Sequence, residues 1–575
     1  MSAAVQTIWA NLVAATLADA GITTCVISPG SRSTPLVLAL ANEPRLALVT
    51  IIDERAAAFY ALGAARATGS AVALVCTSGT AAAHYLPAIV EASLAGVPLV
   101  ALTADRPAEL QACGASQTID QRALYGGFVR ESLDLGAPVP GELALRAVRR
   151  KLVQAITAAL GPRPGPVHVD VPLRKPLEPA APVSVEDRAL AKYLVERGEL
   201  AIAAPALTAD PQAIERLARA IANEPHGVII GGALPVTSAW RDRVFELAAR
   251  TGYPIVAEAG SQLRFGPRPD GVTVVDHFDV IPDLPAARLV LQLGAEPVAA
   301  AWPGWIARTR PVRWNLATSW HDPDSDAVVL IGELTSTLAA LVARIERRVN
   351  PGWTRKWSEL EAQAAAEMEH AISAHPDSET AALRSAIVAL PDGAAIQIGN
   401  SLPIRVIDHV PATRAFHPVI TQRGAAGIDG LVSSAAGATR AGAPVLLVLG
   451  DVSFAHDVGG LLAARAAKAP LAILVLDNRG GQIFAGLPLA RTDVSAACFA
   501  MHWTTEPELD PVAVATAFGV RAVVARSPAA VGAAVATALA HALSNPGGGV
   551  TVIHAPVTET GAHDVRRVAL ERRTS

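Results

Sequence analysis

Two apolar runs that are followed by oxygen-bearing side chains constrain the fold of this chain more than any other feature. The run VLLVLG is followed by Asp451, and the run LAILVLD is followed by Asn478. Short continuous runs rich in Val, Leu and Ile are typical of buried strands in a parallel sheet. The residues between the runs, about 456–468, have helical spacing, so the sequence predicts a strand–helix–strand unit. Both side chains then lie at the edge where open α/β sheets bind ligands.

The same alternation of strand-like runs and Ala-rich helical stretches continues through the chain and predicts an α/β fold. We expect three doubly wound parallel-sheet domains, over residues 1–176, 211–349 and 378–575. Residues 177–210 are predicted to be a linker, and 353–375 a helical connection. The predicted strands are 23–27, 48–52, 72–76, 98–103 and 167–171 in the first domain, 227–230, 254–257, 289–293 and 328–331 in the second, and 394–398, 419–421, 444–449, 471–476, 520–524 and 549–554 in the third.

Composition excludes several classes of protein. Hydrophobic residues make up 51% of the chain and charged residues 17%, so large buried cores can form. The net charge is −4 and no basic run occurs, which argues against nucleic acid as a partner. No apolar run approaches the length that spans a membrane. The 4 cysteines form no C-x-x-C pair and no signal peptide is evident, so we expect a cytoplasmic protein without zinc or disulfides.

The two strand ends carry the donor set of a magnesium site. Asp451 offers a carboxylate, Asn478 a carboxamide oxygen and Gly480 a backbone carbonyl. Mg²⁺ prefers such hard oxygen ligands and completes its octahedron with phosphate oxygens and water. The sequence therefore predicts that this edge binds a diphosphate through a metal ion.

The spacing resembles the thiamine diphosphate motif, Gly-Asp-Gly followed after a gap by Asn-Asn. Val452 replaces the last Gly and Asp477 replaces the first Asn, but all three predicted ligands are present. The resemblance implies thiamine diphosphate as cofactor, held through Mg²⁺ or Mn²⁺. The cofactor-binding residues that it implies in this stretch are Gly450, Asp451, Val452, Ser453, Asn478, Gly480, Gln482 and Ile483.

Acids also end an earlier strand. Asp53 and Glu54 precede a helical stretch, and acids at a helix N-terminus are favoured by the helix dipole alone. The surrounding residues nevertheless resemble the glutamate motif of thiamine diphosphate enzymes. That resemblance implies that Glu54 contacts N1′ of the aminopyrimidine and so promotes removal of the thiazolium C2 proton. It also implies a homodimer or homotetramer, because the glutamate and the metal site of one active site come from two subunits.

Four arginines follow predicted strands: Arg32, Arg106, Arg405 and Arg423. Arginine binds carboxylates through two parallel hydrogen bonds, which lysine does less well. Exposed arginines are common at strand ends, so any one of them alone is weak evidence. Because all four arginines follow predicted strands, they share one kind of position at the edge of a sheet. This shared placement predicts substrates that carry several negative charges.

The segments SPGSRS, TADRP, RGAAGIDG and GGQIF together resemble the 2-succinyl-5-enolpyruvyl-6-hydroxy-3-cyclohexene-1-carboxylate synthase family of menaquinone biosynthesis. The resemblance covers the first and third domains nearly end to end, as pyrimidine-binding and diphosphate-binding domains, and is loose in the central one. It implies decarboxylation of 2-oxoglutarate on thiamine diphosphate, followed by conjugate addition of the succinyl carbanion equivalent to isochorismate.

The resemblance also implies roles for individual residues. Arg32 and Gln117 are expected to act in catalysis, and Ile428 is expected to bend the cofactor, although an ordinary core position also suits it. Ile483 equally suits simple packing. The implied substrate contacts are Ser31, Arg32, Arg106 and Gln117 for isochorismate, Ser401, Arg405 and Arg423 for the oxoglutarate-derived part, and Phe484 and Leu487 on a covering loop.

Three departures and three alternatives stay open at this point. Residues 294–302 contain no Lys or Arg, where the family often has basic residues. Ser116 stands where Asn can precede the site glutamine, and His84, which we expect to be buried, replaces a common Asn. Another thiamine diphosphate enzyme, such as an acetohydroxyacid synthase or a 2-oxoacid decarboxylase, would need fewer substrate arginines. A cofactor-binding protein without catalysis is a second alternative. A dehydrogenase is disfavoured because Gly231 and Gly232 do not belong to a full G-x-G-x-x-G.

Overall fold

A computed structural model describes residues 3–198, 200, 202–236, 239–348, 350–540 and 549–571. The described strands form three six-stranded sheets in which every strand pairing is parallel, with helices between the strands. The predicted α/β class is therefore confirmed. The chain divides into a first unit, Met1–Ala206 with Gln422–Ala441 and Gly459–Ala466, and a second unit, Leu207–Thr421 with Gly442–Val458 and Ala467–Ser575. The boundaries of the three predicted domains stay a prediction.

Strands and helices are labelled in chain order. The strands are β1 Thr24–Ile27, β2 Ala47–Thr50, β3 Val72–Cys76, β4 Leu99–Asp105, β5 Ser132–Asp134, β6 Pro166–Pro172, β7 Gly227–Gly231, β8 Ile255–Ala257, β9 Val274–Val275, β10 Leu289–Leu293, β11 Val312–Ala317, β12 Ala327–Ile331, β13 Ala395–Ile398, β14 Val419–Thr421, β15 Val445–Gly450, β16 Leu471–Asp477, β17 Arg521–Val524 and β18 Val550–Pro556.

The helices are α1 Ala3–Asp19, α2 Thr34–Ala41, α3 Glu54–Thr68, α4 Thr80–Ala83, α5 Leu86–Ala95, α6 Glu142–Leu160, α7 Val185–Glu196, α8 Pro211–Asn223, α9 Arg241–Thr251, α10 Ala301–Thr309, α11 Leu334–Val342, α12 Pro351–Ala374, α13 Glu379–Val388, α14 Pro403–Val406, α15 Leu431–Ala438, α16 Asp451–His456, α17 Gly460–Ala464, α18 Ala496–Phe499, α19 Pro511–Ala517, α20 Pro528–Ala540 and α21 Gly561–Glu571.

Strand order decides where ligands can bind. The sheet of the first unit has the order β2-β1-β3-β4-β6-β5, and the third sheet repeats that pattern as β14-β13-β15-β16-β18-β17. In the first sheet the strand order reverses at β1, so a crevice opens beyond the carboxyl ends of β1 and β3. In the third sheet it reverses at β13, so the crevice lies beyond the carboxyl ends of β13 and β15. The predicted site residues after these strands therefore lie at topological switch points.

The middle sheet has the order β12-β11-β10-β7-β8-β9, which is the arrangement of classic dinucleotide-binding domains. Its switch point is nevertheless occupied by the chain itself. A Cβ at Gly232 would lie 2.0 Å from the carbonyl oxygen of Ala295, and a Cβ at Gly294 would lie 2.5 Å from Leu234 Cδ2. Gly232 and Gly294 thus permit a close contact between the two loops that follow β7 and β10.

Glycines also set the helix packing of the first unit. A Cβ at Gly63 of α3 would lie 1.9 Å from the carbonyl oxygen of Ser434 on α15, and a Cβ at Gly437 would lie 1.9 Å from that of Tyr60. The two helix backbones approach each other at these points more closely than any side chain allows. Because α3 begins at Glu54, this contact fixes the helix that carries the predicted catalytic glutamate.

Several sequence predictions were wrong in detail. The predicted linker contains α7, which begins with a capping box between Ser184 and Asp187. Strands β5, β9 and β11 were not predicted. In β11 the polar Arg313 and Asn315 are buried, so the strand lacks the uninterrupted apolar pattern on which the prediction depends. Among the described residues, no helix is long and apolar enough to cross a membrane.

Candidate active site

The predicted metal ligands lie on adjacent strands. Gly450 at the end of β15 pairs in register with Leu476 of β16, so Asp451 and Asn478 follow neighbouring strand ends. Asp451 begins α16 and is 6% exposed. Its Oδ2 accepts a hydrogen bond of 2.6 Å from the Gly480 amide, and its Oδ1 accepts one of 2.8 Å from the Val452 amide. The carboxylate is thereby held in one orientation.

Electrostatics at this edge favour an added cation. Burial, above all, raises the pKa of Asp451 to about 6, and the charge of Asp477 adds to the rise, whereas the amides of Val452 and Gly480 oppose it. Asp477, which stands where the motif has Asn, lies 2.7 Å from His554 Nε2, and this contact lowers the pKa of Asp477. The extra acid is thus paired with a histidine from β18.

Asn478 has an unsatisfied ligand atom. Its Nδ2 donates a hydrogen bond of 2.9 Å to Glu379 Oε1, whereas its buried Oδ1 has no hydrogen-bond partner in the described part of the chain. A buried oxygen without a partner is costly unless something else binds it. A carboxylate, this oxygen and the Gly480 carbonyl are chemically suited to Mg²⁺ or Mn²⁺. The residues therefore fit the implied metal ion.

Gly480 and the loop after it are shaped by steric limits. Gly480 has a φ of +115°, and a Cβ there would lie 2.3 Å from the Thr504 carbonyl oxygen. Its own carbonyl accepts a hydrogen bond of 2.8 Å from the Gln482 amide, which leaves one lone pair for a ligand. Gln482 Nε2 donates to the carbonyl of Asn478 at 3.2 Å. This second bond ties the loop to the strand end that carries the metal ligand.

The remaining loop residues differ in their surroundings. Ile483 packs against the core of the third sheet, which supports the packing interpretation for that side chain. Phe484 is half-buried and Leu487 is 44% exposed, so both can contact a bound molecule. Val452 is also half-buried, whereas Ser453 is buried.

Ser401 and Arg405 lie together beyond β13. Ser401 has a φ of +71°, a conformation that non-glycine residues adopt rarely. Arg405 Nη1 donates a hydrogen bond of 2.6 Å to the Ser401 carbonyl, and the guanidinium is half-buried. Strained backbone beside a strand end is typical of functional sites. The second unit thus brings Arg405 to the switch point of the third sheet.

The edge of the first unit carries Glu54. Asp53 is the N-cap of α3, since its Oδ1 accepts from the amides of Arg55 and Ala56 at 2.8 and 3.3 Å. The helix-terminus interpretation therefore accounts for Asp53. The helix dipole also favours Glu54 in the first turn, but its half-buried carboxylate forms no hydrogen bond with any described residue. Glu54 is available to a ligand.

Arg32 and Arg106 converge at the same sheet edge. Arg32 is 4% exposed, and its Nη1 donates a hydrogen bond of 2.7 Å to the Leu173 carbonyl. Burial lowers the pKa of Arg32, and the nearby charge of Arg106 lowers it further. The charge of Asp105 opposes this shift, so one acid of the chain already lies near the pair. That the two arginines bind a carboxylate-rich substrate stays a prediction.

Gln117 and Ser31 lie on exposed loops at this edge. Gln117 has a φ of +55°, its Nε2 donates to the Ser78 carbonyl at 3.0 Å, and its own carbonyl accepts from Ser78 Oγ at 3.1 Å. A Cβ at Gly79 would lie 3.0 Å from the Gln117 side chain. Gln117 is therefore fixed beside the turn after β3, whereas Ser31 is exposed.

The loop that carries Arg423 and Ile428 is held by a residue that sequence analysis missed. Glu91 of α5 is 3% exposed and accepts hydrogen bonds from the amides of Gly424 and Ala425, at 3.0 and 2.6 Å. It also forms an ion pair of 2.8 Å with Arg66. Nothing in the sequence around Glu91 marks this role, because its partners are more than 300 positions away along the chain. Ile428 is only half-buried, so it is not an ordinary core residue.

Behind the arginines lies a buried acid pair that was also not predicted. Asp105 is the last residue of β4. Asp170 lies on β6, where it pairs in register with Thr103 of β4. Burial raises the pKa of Asp170 to about 7, and Asp105 contributes to the rise. Asp170 Oδ1 accepts hydrogen bonds from Thr103 and Gln121, at 3.1 and 3.2 Å. Its setting favours the protonated form.

Acidic side chains hold the loop at 294–302 in place. Glu258 accepts hydrogen bonds from the amides of Val298 and Ala299 at 2.6 and 2.8 Å, and Glu296 accepts one from the indole of Trp302. The loop therefore needs no basic residue to keep its shape.

His84 is exposed at the end of α4. The expectation that it is a buried histidine was wrong, because His84 directly follows the short helix α4 and is exposed to solvent.

Comparisons with known proteins agree with this geometry. The family of the thiamine pyrophosphate enzyme, N-terminal TPP binding domain, matches residues 9–124, and that of the C-terminal TPP binding domain matches 406–555. The chain is 42% identical to 2-succinyl-5-enolpyruvyl-6-hydroxy-3-cyclohexene-1-carboxylate synthase of Sorangium cellulosum, over 89% of this chain and 87% of the relative. The synthase of the same name from Geobacillus kaustophilus is 41% identical over 83% of each chain.

The chain belongs to this synthase family. The chain also shares its fold with benzoylformate decarboxylase from Polynucleobacter necessarius, which superimposes with a TM-score of 0.69 over 96% of this chain and 98% of that one, at 16% identity. The predicted family is thereby confirmed, and so is thiamine diphosphate as the cofactor of its two matching domains.

Proposed function

We propose that this protein is a thiamine diphosphate-dependent transferase that decarboxylates 2-oxoglutarate and adds the succinyl unit to isochorismate, in menaquinone biosynthesis. The observation that carries the proposal is the 42% identity, over 89% of the chain, to a synthase of this name. Two arginine-bearing sheet edges support it, since both proposed substrates are dicarboxylates. The net charge of −4 and the lack of a basic run give no support to nucleic acid as a partner.

In this proposal Asp451, Asn478 and the Gly480 carbonyl hold Mg²⁺ or Mn²⁺, which in turn holds the diphosphate. When bound, thiamine diphosphate supplies the nucleophilic carbon and accepts the electrons released by decarboxylation. Glu54 shares a proton with the aminopyrimidine ring and so sets its basicity. Ile428 supports the bent shape of the cofactor from its half-buried position.

The substrates are recognised mainly by charge. Arg405 and Arg423, with Ser401, bind and orient the carboxylates of 2-oxoglutarate. Arg32 and Arg106 bind isochorismate, with Gln117 and Ser31 beside them. Guanidinium groups favour this task because they pair with carboxylates in a planar, two-bond geometry. Phe484 and Leu487 cover the site and exclude water.

The active protein is proposed to be a homodimer or homotetramer in the cytoplasm, with Glu54 of one subunit and the metal site of its partner forming one active site. Closed symmetric assembly repeats such a site for every subunit. The support is the resemblance of the glutamate motif and of the metal motif to those of the thiamine diphosphate enzymes.

The test is to mix purified protein with thiamine diphosphate, Mg²⁺, 2-oxoglutarate and isochorismate and to follow the products by mass spectrometry. The expected product joins 2-oxoglutarate minus CO₂ to isochorismate. Release of CO₂ without coupling would instead favour a 2-oxoacid decarboxylase with another acceptor, and the loop at 294–302, which lacks basic residues, would be the first region to examine. A yellow, flavin-containing preparation that condenses pyruvate would favour an acetohydroxyacid synthase.

A further inference from the structure

Asn478 poses a problem of orientation. A carboxamide has an oxygen end and an NH₂ end of nearly the same shape, and only the oxygen can bind a cation. In this structure Nδ2 points to Glu379 and donates to Oε1 at 2.9 Å, whereas Oδ1 is buried without a partner among the described residues. Something must therefore keep the amide from turning over when the metal is absent.

We infer that Glu379 is a positioning residue for the metal site: its carboxylate holds the NH₂ end of Asn478, so that Oδ1 is presented to the metal. The inference rests on the proposed function, in which Asn478 is a metal ligand. Glu379 Oε1 acts here as an acceptor, and only the NH₂ end of Asn478 can donate to it. A turned amide would place oxygen against oxygen, which the buried surroundings of Glu379 (2% exposed) would make costly.

The surroundings of Glu379 allow it little movement. It is the first residue of α13, directly after the N-cap Ser378, whose Oγ accepts from the Ala381 amide at 3.2 Å. On its other side α21 begins at Gly561, where a Cβ would lie 2.9 Å from Glu379 Oε2 and 2.8 Å from Ser378 Cα. Two helix N-termini thus enclose the carboxylate, and its hydrogen bond to Asn478 is fixed in direction.

Glu379 also lies in the first turn of α13, where an acid can act without positioning any other side chain. An acid in the first turn of a helix stabilises that helix through the dipole, whether or not it touches a ligand. If Glu379 only stabilises the helix, its substitution should lower protein stability without a specific effect on metal affinity. If Glu379 positions Asn478, its substitution should lower metal affinity, and the size of the loss should depend on which side chain is present at position 478.

The experiment measures Mn²⁺ affinity by electron paramagnetic resonance in the presence of thiamine diphosphate, and the Mn²⁺ concentration needed for half-maximal cofactor binding by tryptophan fluorescence. Glu379→Leu should weaken Mn²⁺ binding about 10- to 100-fold, since residues that orient metal ligands contribute on this scale. Leucine offers no acceptor to the Asn478 NH₂ group, whereas Glu379→Gln keeps an acceptor oxygen and should lose less affinity. Saturating Mn²⁺ should restore cofactor binding.

Glu379→Gln combined with Asn478→Asp gives the decisive comparison. Asn478→Asp alone places two carboxylates together and should also weaken Mn²⁺ binding. In the double variant the Gln NH₂ donates to one oxygen of the new carboxylate, so the hydrogen bond is restored with reversed polarity and the other oxygen faces the metal. We expect the double variant to bind Mn²⁺ more tightly than Asn478→Asp alone. Equal or weaker binding by the double variant would overturn the inference.

Glu258→Gln is the matched control. Glu258 is also buried, at 6% exposure, in the same unit, and it accepts backbone hydrogen bonds from Val298 and Ala299 far along the chain from the metal ligands. It should leave Mn²⁺ affinity unchanged, and circular dichroism checks that each variant is folded. If the unaltered protein binds no Mn²⁺ with thiamine diphosphate, the proposed function fails. If it binds Mn²⁺ and Glu379→Leu binds equally well, only the inference about Glu379 fails.

Discussion

At the scale of single residues, Glu54 and Asp53 are neighbouring acids with different surroundings. Asp53 caps α3 through its side chain, whereas Glu54 offers its carboxylate to a ligand. We expect Glu54→Gln to lower kcat by about a hundredfold or more, because a positioned proton donor or acceptor contributes on this scale. Cofactor binding, measured by fluorescence titration, should change little. Asp53→Asn, which keeps the cap, is the control, and substantial turnover by Glu54→Gln would remove Glu54 from the mechanism.

Arg405 supports a second prediction at this scale. Its guanidinium contacts the strained Ser401 backbone and lies at the switch point of the third sheet. Arg405→Ala should raise the KM for 2-oxoglutarate about tenfold or more, as expected for loss of a charge-assisted hydrogen bond. Affinity for thiamine diphosphate should be largely kept, and Arg405→Lys should recover only part of the loss. Equal loss of substrate and cofactor binding would show that Arg405 acts by holding the Ser401 loop.

At the scale of secondary-structure elements, the contact of α3 with α15 depends on two glycines. Gly63→Ala would place a methyl group 1.9 Å from the Ser434 carbonyl, so we expect loss of about 1–3 kcal/mol in the free energy of unfolding. Gly304→Ala in α10 is the control, because a Cβ there has nothing within 4 Å and alanine favours the helix. Denaturation curves of both variants check this, and equal stability of the two would mean that the helices separate readily.

The buried pair on β4 and β6 predicts a pH effect on stability. The pKa of Asp170 is raised to about 7, so the native state favours its protonated form, and this contribution is present at low pH and lost as pH rises from about 4 to about 7. Asp170→Asn cannot ionise. The melting temperature of the variant relative to the unaltered protein should therefore increase between pH 5 and pH 8. A pH-independent difference would mean that Asp170 ionises normally in the native state.

At the scale of the whole molecule, the proposed shared active site can be tested by mixing subunits. Glu54→Gln and Asp451→Asn should each be inactive alone. After unfolding and joint refolding, mixed dimers contain one active site with both residues intact, so about a quarter of the normal activity should return. No recovery, in a mixture shown by mass to contain mixed dimers, would place both residues of each active site in one subunit.

Local patterns in the sequence determined the elements around the site. Residues 445–450 and 471–476 are apolar throughout, because strands buried on both faces of a parallel sheet need no alternation. Such runs can be recognised without any tertiary information. The same rule could not identify β11, because this strand contains the charged Arg313. Arg313 is buried, and its charge is balanced by ion pairs with Asp324 and Asp326. Only the folded chain shows that these acids are close enough to make burial possible.

Roles that depend on contact between distant segments were decided by the tertiary structure alone. Glu91 holds the Arg423 loop and Glu379 holds Asn478, in each case across a long stretch of chain, and nothing in the residues that flank either glutamate marks it. The sequence determined which side chains follow the strands, since strand ends are set by local composition. Which partners fix those side chains was decided by packing, because hydrogen bonds and burial depend on distance in space and not along the chain.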